Sequence, residues 1–285
     1  MIDARPAAPP HSPAMNGISS ASLLRDAALE RPAGPSRELA SRRESCLACK
    51  VRGRTVCAAV PEGAIDRMAL VKLPPRRLPA GAVIYAEQDR CAECFTVLEG
   101  WVALTAALED GGRVVLDFAL PGDYFGFQAN PDAPRPQSAI AVTAVRLCPL
   151  PRGRMQPLVG TDAAVAKHLS HLIAMHEARA HDHLINNASR EAHGRIAHLL
   201  IELYFRQRHR LPEIPDETID LPLTLALIGE AVGLTPVHVS RSLRRLREER
   251  VLRLNRGRLL IIDPEAVIRA SGVDDRPLAD ATIPS

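Results

Sequence analysis

The stretch Thr224–Asp263, TLALIGEAVGLTPVHVSRSLRRLREERVLRLNRGRLLIID, constrains the fold of this chain more than any other. Leu225, Ile228 and Val232 recur at the spacing of one helix face. Gly233 then suits the left-handed residue that ends a helix. Thr235 can cap the next helix, and Pro236 fits its first helical position. Val239, Leu243 and Leu246 anchor that second helix, which leaves Val237, His238, Ser240, Arg241 and Arg244 facing outward. The VLRLNRGRLLIID run reads as a hairpin turning at Asn255, Arg256 and Gly257. The pattern predicts a winged helix-turn-helix.

Charge placement says what such a module would face. The 285-residue chain carries a formal charge of only +3. Lysine is limited to Lys50, Lys72 and Lys167. Yet Arg241, Arg244, Arg245, Arg247, Arg250, Arg253, Arg256 and Arg258 crowd one stretch, opposed by Glu248 and Glu249. That is the footprint of a nucleic-acid contact. Residues at the start of a recognition helix meet base edges, and Arg241 can fork onto guanine O6 and N7. Arg244, Arg256 and Arg258 suit phosphates. Thr235, Val237, His238 and Ser240 complete the candidate DNA-contacting set.

The rest of the chain divides by pattern. Residues 1–44 are rich in Ala, Pro, Ser and Arg and read as a disordered tail, with a transient helix at Ala21–Glu30. Residues 45–160 join a cysteine-containing segment to short β-branched runs punctuated by Gly81, Gly100, Gly111, Gly112 and Gly122, the mark of a β-sandwich or barrel. Residues 161–188 read as one long helix that Thr161 or Asp162 can cap. Its stripe of Val165, Leu169, Leu172, Ile173 and His176 is a candidate dimerisation seam. Residues 189–272 hold a further helix, a loop at LPEIPDETIDLP and the winged module, and 273–285 form a tail. No apolar run approaches a membrane span, and the N-terminus lacks a signal-peptide pattern. We expect a cytoplasmic protein.

Cysteine placement points to metal. Cys46, Cys49 and Cys57 are spaced C-x2-C-x7-C, and Cys148 lies far along the chain. In a reducing compartment grouped thiols suggest metal rather than disulfides. Arg43, Lys50, Arg52 and Arg54 are expected to lower the thiol pKa values. A rival set pairs Cys46 and Cys49 with Cys91 and Cys94 as a four-cysteine zinc site; partly buried small residues are the plainer reading of Cys91 and Cys94. Seven histidines between His168 and His198 could bind haem or metal, or make the helix seam sensitive to pH. No nucleophile–base motif, P-loop or dinucleotide turn suggests an enzyme.

Four stretches, LPAGAVIY, VLEGWVAL, LPGDYFGF and LTPVHVSRSLRRLREERVLR, make the chain resemble the CRP/FNR family of bacterial transcription regulators over roughly residues 46–272. The resemblance implies an α+β fold: an N-terminal β-roll of the cyclic-nucleotide-binding jelly-roll type, a long dimerisation helix and a C-terminal winged helix-turn-helix. It implies a homodimer on a pseudo-palindromic double-stranded operator, and contact with RNA polymerase. Val237 stands where the family often carries a glutamate, which puts the usual half-site in doubt. Phe127 and Gln137 stand where cyclic-AMP-binding members carry a glutamate and an arginine, with Arg135 out of register, so cyclic AMP is not expected. FNR-like members hold a [4Fe–4S] cluster on three N-terminal cysteines and one in the β-roll. The resemblance carries that role to Cys46, Cys49, Cys57 and Cys148, and implies oxygen or redox sensing.

Overall fold

A computed structural model of the chain describes residues 37–128, 130 and 132–273. It begins with helix α1 (Arg37–Leu47), then three short 3-10 turns at Arg52–Arg54, Val56–Ala59 and Glu62–Ala64, then α2 (Ile65–Val71). Residues 37–44, read from composition as disordered tail, are therefore helical. The Ala21–Glu30 reading lies outside the described residues.

Eight strands follow: β1 (Arg76–Leu78), β2 (Val83–Tyr85), β3 (Glu93–Glu99), β4 (Val102–Ala107), β5 (Arg113–Ala119), β6 (Tyr124–Phe125), β7 (Ser138–Ala141) and β8 (Val145–Pro151). They form two antiparallel sheets, ordered β1-β8-β3-β6 and β2-β7-β4-β5. The roll interior is filled by Tyr85, Phe95, Val97, Leu104, Phe125 and Leu147, among others. Strand alternation decides what faces outward. Phe95 and Val97 point into the roll, while Cys94, the residue before Phe95, joins a second core outside it. Leu147 points in; its neighbour Cys148 lies opposite Thr96 on β3 and faces the other way.

That second core is roofed by the N-terminal segment and the long helix. Helix α3 (Arg152–Thr161) leads into α4 (Ala163–Ser189), whose N-terminus Asp162 caps by accepting from the amides of Ala164 and Val165 at 3.1 and 3.2 Å. Val165, Leu169 and Leu172 are 0%, 3% and 7% exposed, packed with Cys46, Val56, Ile65 and Met68. This corrects the seam reading: three of its five residues are consumed inside the chain, and His176 is half-buried against the β-roll. Ile173, at 45% exposure, belongs to a different stripe that carries Leu184 at 68%. Both stripes are apolar, and helical period alone does not say which one the chain itself covers.

Helix α5 (Ala192–Arg208) begins the C-terminal module, followed by β9 (Glu217–Asp220), α6 (Leu225–Val232), α7 (Pro236–Glu248), β10 (Leu252–Asn255), β11 (Arg258–Ile261) and α8 (Pro264–Ser271). The wing is a three-stranded sheet, β10-β11-β9. Residues 217–220, read as loop, form its third strand because Ile219 is buried in the module core. The hairpin turns at Arg256 and Gly257, both with positive φ (47° and 74°), as a tight primed turn requires. Gly233 has φ 68° and ends α6. Gly229 allows close approach: a Cβ there would overlap the carbonyl oxygen of Leu234. One departure is Leu225, which is 41% exposed, while Ile228 and Val232 are buried as expected. The module docks on the roll's outer face, where Trp101, Val115 and Phe118 share a core with α5 and α6. Among the described residues no helix is long and apolar enough to cross a membrane.

Candidate functional site

Cys46, Cys49, Cys57 and Cys148 line one cavity of about 450 Å³. Cys46 lies in the last turn of α1, Cys49 follows the helix, Cys57 sits in the second 3-10 turn and Cys148 rises from β8. The loop between them is fixed locally. Thr55 caps the turn, its Oγ1 accepting from the Cys57 amide at 3.1 Å, and the Thr55 carbonyl accepts from His168 Nε2 on α4 at 2.9 Å. Val51, Met68, Leu98 and Leu150 give the cavity apolar walls, and Lys50, Arg52, Lys72 and Arg146 bring positive charge to it.

Two of the thiols, Cys57 and Cys148, are harder to ionise than the flanking cations suggested. Burial pushes Cys57 up to about 11, with Cys46 and Cys49 adding to the effect against the hydroxyl of Thr55 and the cation of Lys72. Burial likewise pushes Cys148 up to about 12, with Cys57, Cys46 and Cys49 adding and Lys72 opposing. The mutual effect of the four sulfurs is itself a sign of their convergence. Of the expected cations, Arg43 pairs with Asp66 at 3.1 Å and Arg54 donates to His209, while Lys50 and Arg52 line the cavity, Arg52 also donating to the Val60 carbonyl at 2.7 Å. In the protein without metal Cys57 and Cys148 are thiols, and a metal would have to displace their protons.

The zinc set is not brought together. Cys91 and Cys94 lie outside this cavity, Cys94 donating to the Leu150 carbonyl at 3.4 Å and Cys91 lying 3.7 Å from the Glu93 carbonyl. Among the described residues no three His, Cys, Asp or Glu side chains are grouped tightly enough to hold a single metal ion. The histidines are dispersed: His198 bonds Asp182 at 2.8 Å, and His183 bonds Glu202 at 2.5 Å. Arg135, the arginine out of register, turns inward to 1% exposure, lies 4.5 Å from the Tyr85 ring centre, and donates to the carbonyls of Gly126, Glu93 and Cys91.

At the other end, Thr235 caps α7, its Oγ1 accepting from the His238 amide. Thr235, Val237, His238, Ser240, Arg241 and Arg244 are all exposed on α7 and its cap, while Val239 and Leu246 hold the helix from behind. Val237 alone is 60% exposed, an apolar side chain offered to solvent at the helix start. Arg256 is exposed at the wing tip and Arg258 on β11, the latter 3.8 Å from Asp220. The six α7-end residues and the two wing arginines are thus available to a duplex.

Sequence reasoning missed the knot that joins these ends. Arg206 on α5 is 8% exposed and binds Asp117 on β5 at 3.0 Å, Asp123 at 2.6 Å and Glu202 at 3.1 Å. Arg179 on α4 holds the other oxygen of Asp117 at 3.2 Å. Burial would raise the Asp117 carboxyl, but Arg179 and Arg206 hold it well below the usual carboxylate range. A charged helix residue ordinarily reads as solvated, and only the three-dimensional meeting of roll, long helix and α5 reveals otherwise.

Comparison with known proteins matches this architecture. Residues 75–162 match the cyclic nucleotide-binding domain, and residues 194–270 match the Crp-like helix-turn-helix domain. The chain is 32% identical to the nitrogen fixation regulation protein FixK of Rhizobium meliloti over 188 residues, 66% of this chain and 82% of that protein. It is 27% identical to FixK of Bradyrhizobium diazoefficiens over 223 residues, 78% of this chain and 92% of that protein. The solved structure of FixK2 from Bradyrhizobium japonicum superposes with a TM-score of 0.62 at 25% identity, covering 69% of this chain and 96% of that one. With the roll, the long helix and the exposed recognition helix in this order, the chain belongs to the CRP/FNR family, the DNA-binding transcription regulators, which are not enzymes.

Proposed function

We propose that the protein is a homodimeric regulator whose hold on double-stranded DNA is set by the Cys46–Cys49–Cys57–Cys148 cavity, through a [4Fe–4S] cluster that responds to oxygen or redox state. The observation that carries this reading is the convergence of four thiols, the farthest separated by about a hundred residues, on one cavity while Cys91 and Cys94 stay outside it. Thiolates suit iron–sulfur clusters because their soft sulfurs bind iron tetrahedrally. Bound there, the cluster would supply a link that oxidants break. The chain's part is to provide four sulfurs, apolar walls that limit water, and Lys72 to offset negative charge.

The dimer would form along the stripe of α4 that the chain leaves open or half-open: Ala166, Ser170, Ile173, Glu177, Ala180 and Leu184, with Glu177 its one charged position. These follow the four-three alternation of a coiled-coil seam. Two α7 helices would then meet adjacent major grooves of a pseudo-palindromic operator, with RNA polymerase as the further partner. Arg135 is committed to carbonyl acceptors and Tyr85, so it offers no free guanidinium to a cyclic nucleotide phosphate. A cytoplasmic location accords with this role.

Anaerobic purification with iron, sulfide and zinc analysis tests the reading. We expect near-equal iron and sulfide, a brown colour that bleaches in air, and loss of both elements in Cys148→Ala but not in Cys91→Ala. Zinc in place of iron, or the reverse ordering of the two variants, would sink it.

A further inference from the structure

The loop that bears Cys57 touches both other parts of the molecule, and two adjacent residues make the contacts. Thr55 faces α4, its carbonyl accepting from His168 Nε2 at 2.9 Å. Arg54 points toward the DNA-binding module, its Nη1 2.5 Å from His209 Nε2. An arginine only donates, so His209 accepts here and its Nε2 carries no proton. His209 is the residue that ends α5, in the left-handed conformation with φ 57°. It lies three residues beyond Arg206, the centre of the buried ion knot.

The Arg54 side chain has little freedom to make this contact elsewhere. It lies across Gly122, where an added Cβ would stand 3.2 Å from the Arg54 Cβ and 3.4 Å from its Nε. Gly122 also has φ 106°, a conformation that disfavours any other residue. A small second cavity of about 60 Å³ is bounded by Arg54, Gly122, Asp123, Arg206 and His209. The cysteine loop, the turn after β5 and the end of α5 thus meet at one point. On the loop's other side Arg52, Thr55 and Cys57 line the thiol cavity.

We propose that the Arg54–His209 contact is a strap by which the thiol cavity positions the DNA-binding module. This rests on the reading of the four thiols as a metal-cluster site. A ligand that draws Cys57 toward Cys148 tightens the link to Arg54, which is only two residues long, Thr55 and Val56. That link carries the motion to the end of α5 through Arg54 and to α4 through Thr55. Arg54 is a positioning residue: it lines the second cavity, not the first.

Amide hydrogen exchange tests the strap on the full chain, comparing apoprotein with protein reconstituted anaerobically from ferrous iron and sulfide. In the wild type we expect reconstitution to slow exchange in residues 200–210 by about fivefold or more, the scale of a local opening made less frequent. Arg54→Met keeps the packing over Gly122 and removes the hydrogen bond. It should take up iron and sulfide as the wild type does and keep the protection gained around Cys148, yet lose the change at residues 200–210. If Arg54→Met loads normally and retains that change, the strap is refuted while the cluster reading stands. If the wild type takes up no iron and sulfide, the cluster reading falls and the inference falls with it. His209→Leu provides the check from the other side and should behave as Arg54→Met.

Discussion

Arg206 on α5 and Asp117 on β5 form a buried ion pair at 3.0 Å that bolts the DNA-binding module to the sensor roll. Neither charge is solvated: their side chains are 8% and 15% exposed. Arg206 also satisfies Asp123, Glu202 and the carbonyl of Phe118, so one guanidinium answers three carboxylates and a backbone acceptor. Removing it leaves charges buried without a partner, which typically costs about 3–5 kcal/mol. Arg206→Met should therefore lower the thermal midpoint sharply. Arg206→Lys, which keeps the charge but loses the fork, should fall between it and the wild type. Scanning calorimetry of the three proteins checks the order.

The same knot should give stability a defined pH profile. Around His183 stand Glu202 and Arg206 from α5, Asp117 from β5, and the nearby Leu116 carbonyl. Burial alone would depress the imidazolium, but Glu202 and Asp117 outweigh it and raise His183 to about 9. Burial would raise Glu202, but His183 and Arg206 pull it down to about 2. A raised histidine gives stability that is fully present below its unfolded value, about 6.5, and that is lost as pH climbs through 9. A depressed carboxylate gives stability present above about 4.5 and lost as pH falls toward 2. The thermal midpoint should fall from pH 6.5 to 9 in the wild type, and less steeply in His183→Gln. Equal slopes in the two proteins would contradict the assignment.

The two apolar stripes of α4 should separate cleanly by mutation. Leu184, 68% exposed, lies on the open stripe, and Leu184→Asp should shift the protein from dimer to monomer in sedimentation equilibrium with little change in unfolding. Leu169, 3% exposed, lies on the covered stripe; Leu169→Ala should cost about 2–5 kcal/mol of stability through the cavity left behind. A dimer that survives Leu184→Asp would mean that subunits meet elsewhere.

What could be read in advance follows from the range of the forces involved. Thr235, Pro236 and Gly233 act on their own backbone, so their roles in the helix-turn-helix were visible in the sequence. The β-roll was visible because β-branched runs and the glycines that punctuate them are local signals too. The convergence of Cys148 with Cys46, Cys49 and Cys57 came only through family resemblance, since nothing local links β8 to α1. The covered stripe of α4 was misassigned because Val165 and Ile173 are equally apolar, and burial is decided by what packs on them. Ile219 looked like loop because its strand is short and flanked by prolines, and its partner β11 lies about forty residues on. Arg206 and Asp117 were invisible, and Arg54 was assigned to the thiols rather than to His209, because a charge's partner can come from anywhere in the chain.

Gly229 marks a second case of non-local constraint, inside the recognition module. A methyl group at that position would overlap the Leu234 carbonyl oxygen, which belongs to the turn between α6 and α7. The Leu234 amide also donates to the Gly229 carbonyl at 2.9 Å, so the turn cannot simply swing away. Gly229→Ala should destabilise the module by about 1–3 kcal/mol, as overpacking does. It should also weaken DNA binding by displacing α7. Amide exchange confined to residues 224–248 would report the damage without invoking the sensor.

Arg241 and Arg256 should fail in different ways, and the difference tests how α7 and the wing share the work. Arg241 is exposed on the second turn of α7 and Arg256 is exposed at the wing tip; we propose that the first reads a base edge and the second holds a phosphate. Arg241→Ala should relax preference at one base pair of each half-site by about 1–3 kcal/mol. Arg256→Ala should weaken all sequences alike and reduce the salt dependence of binding by about one unit of slope. Val237, apolar and 60% exposed at the helix start, can touch a thymine methyl but cannot accept from cytosine. Val237→Glu should therefore move the preferred base at its position toward cytosine. Selection from randomised duplexes, repeated at several salt concentrations, reads all three variants. A uniform loss for Arg241→Ala would reassign that arginine to the phosphates.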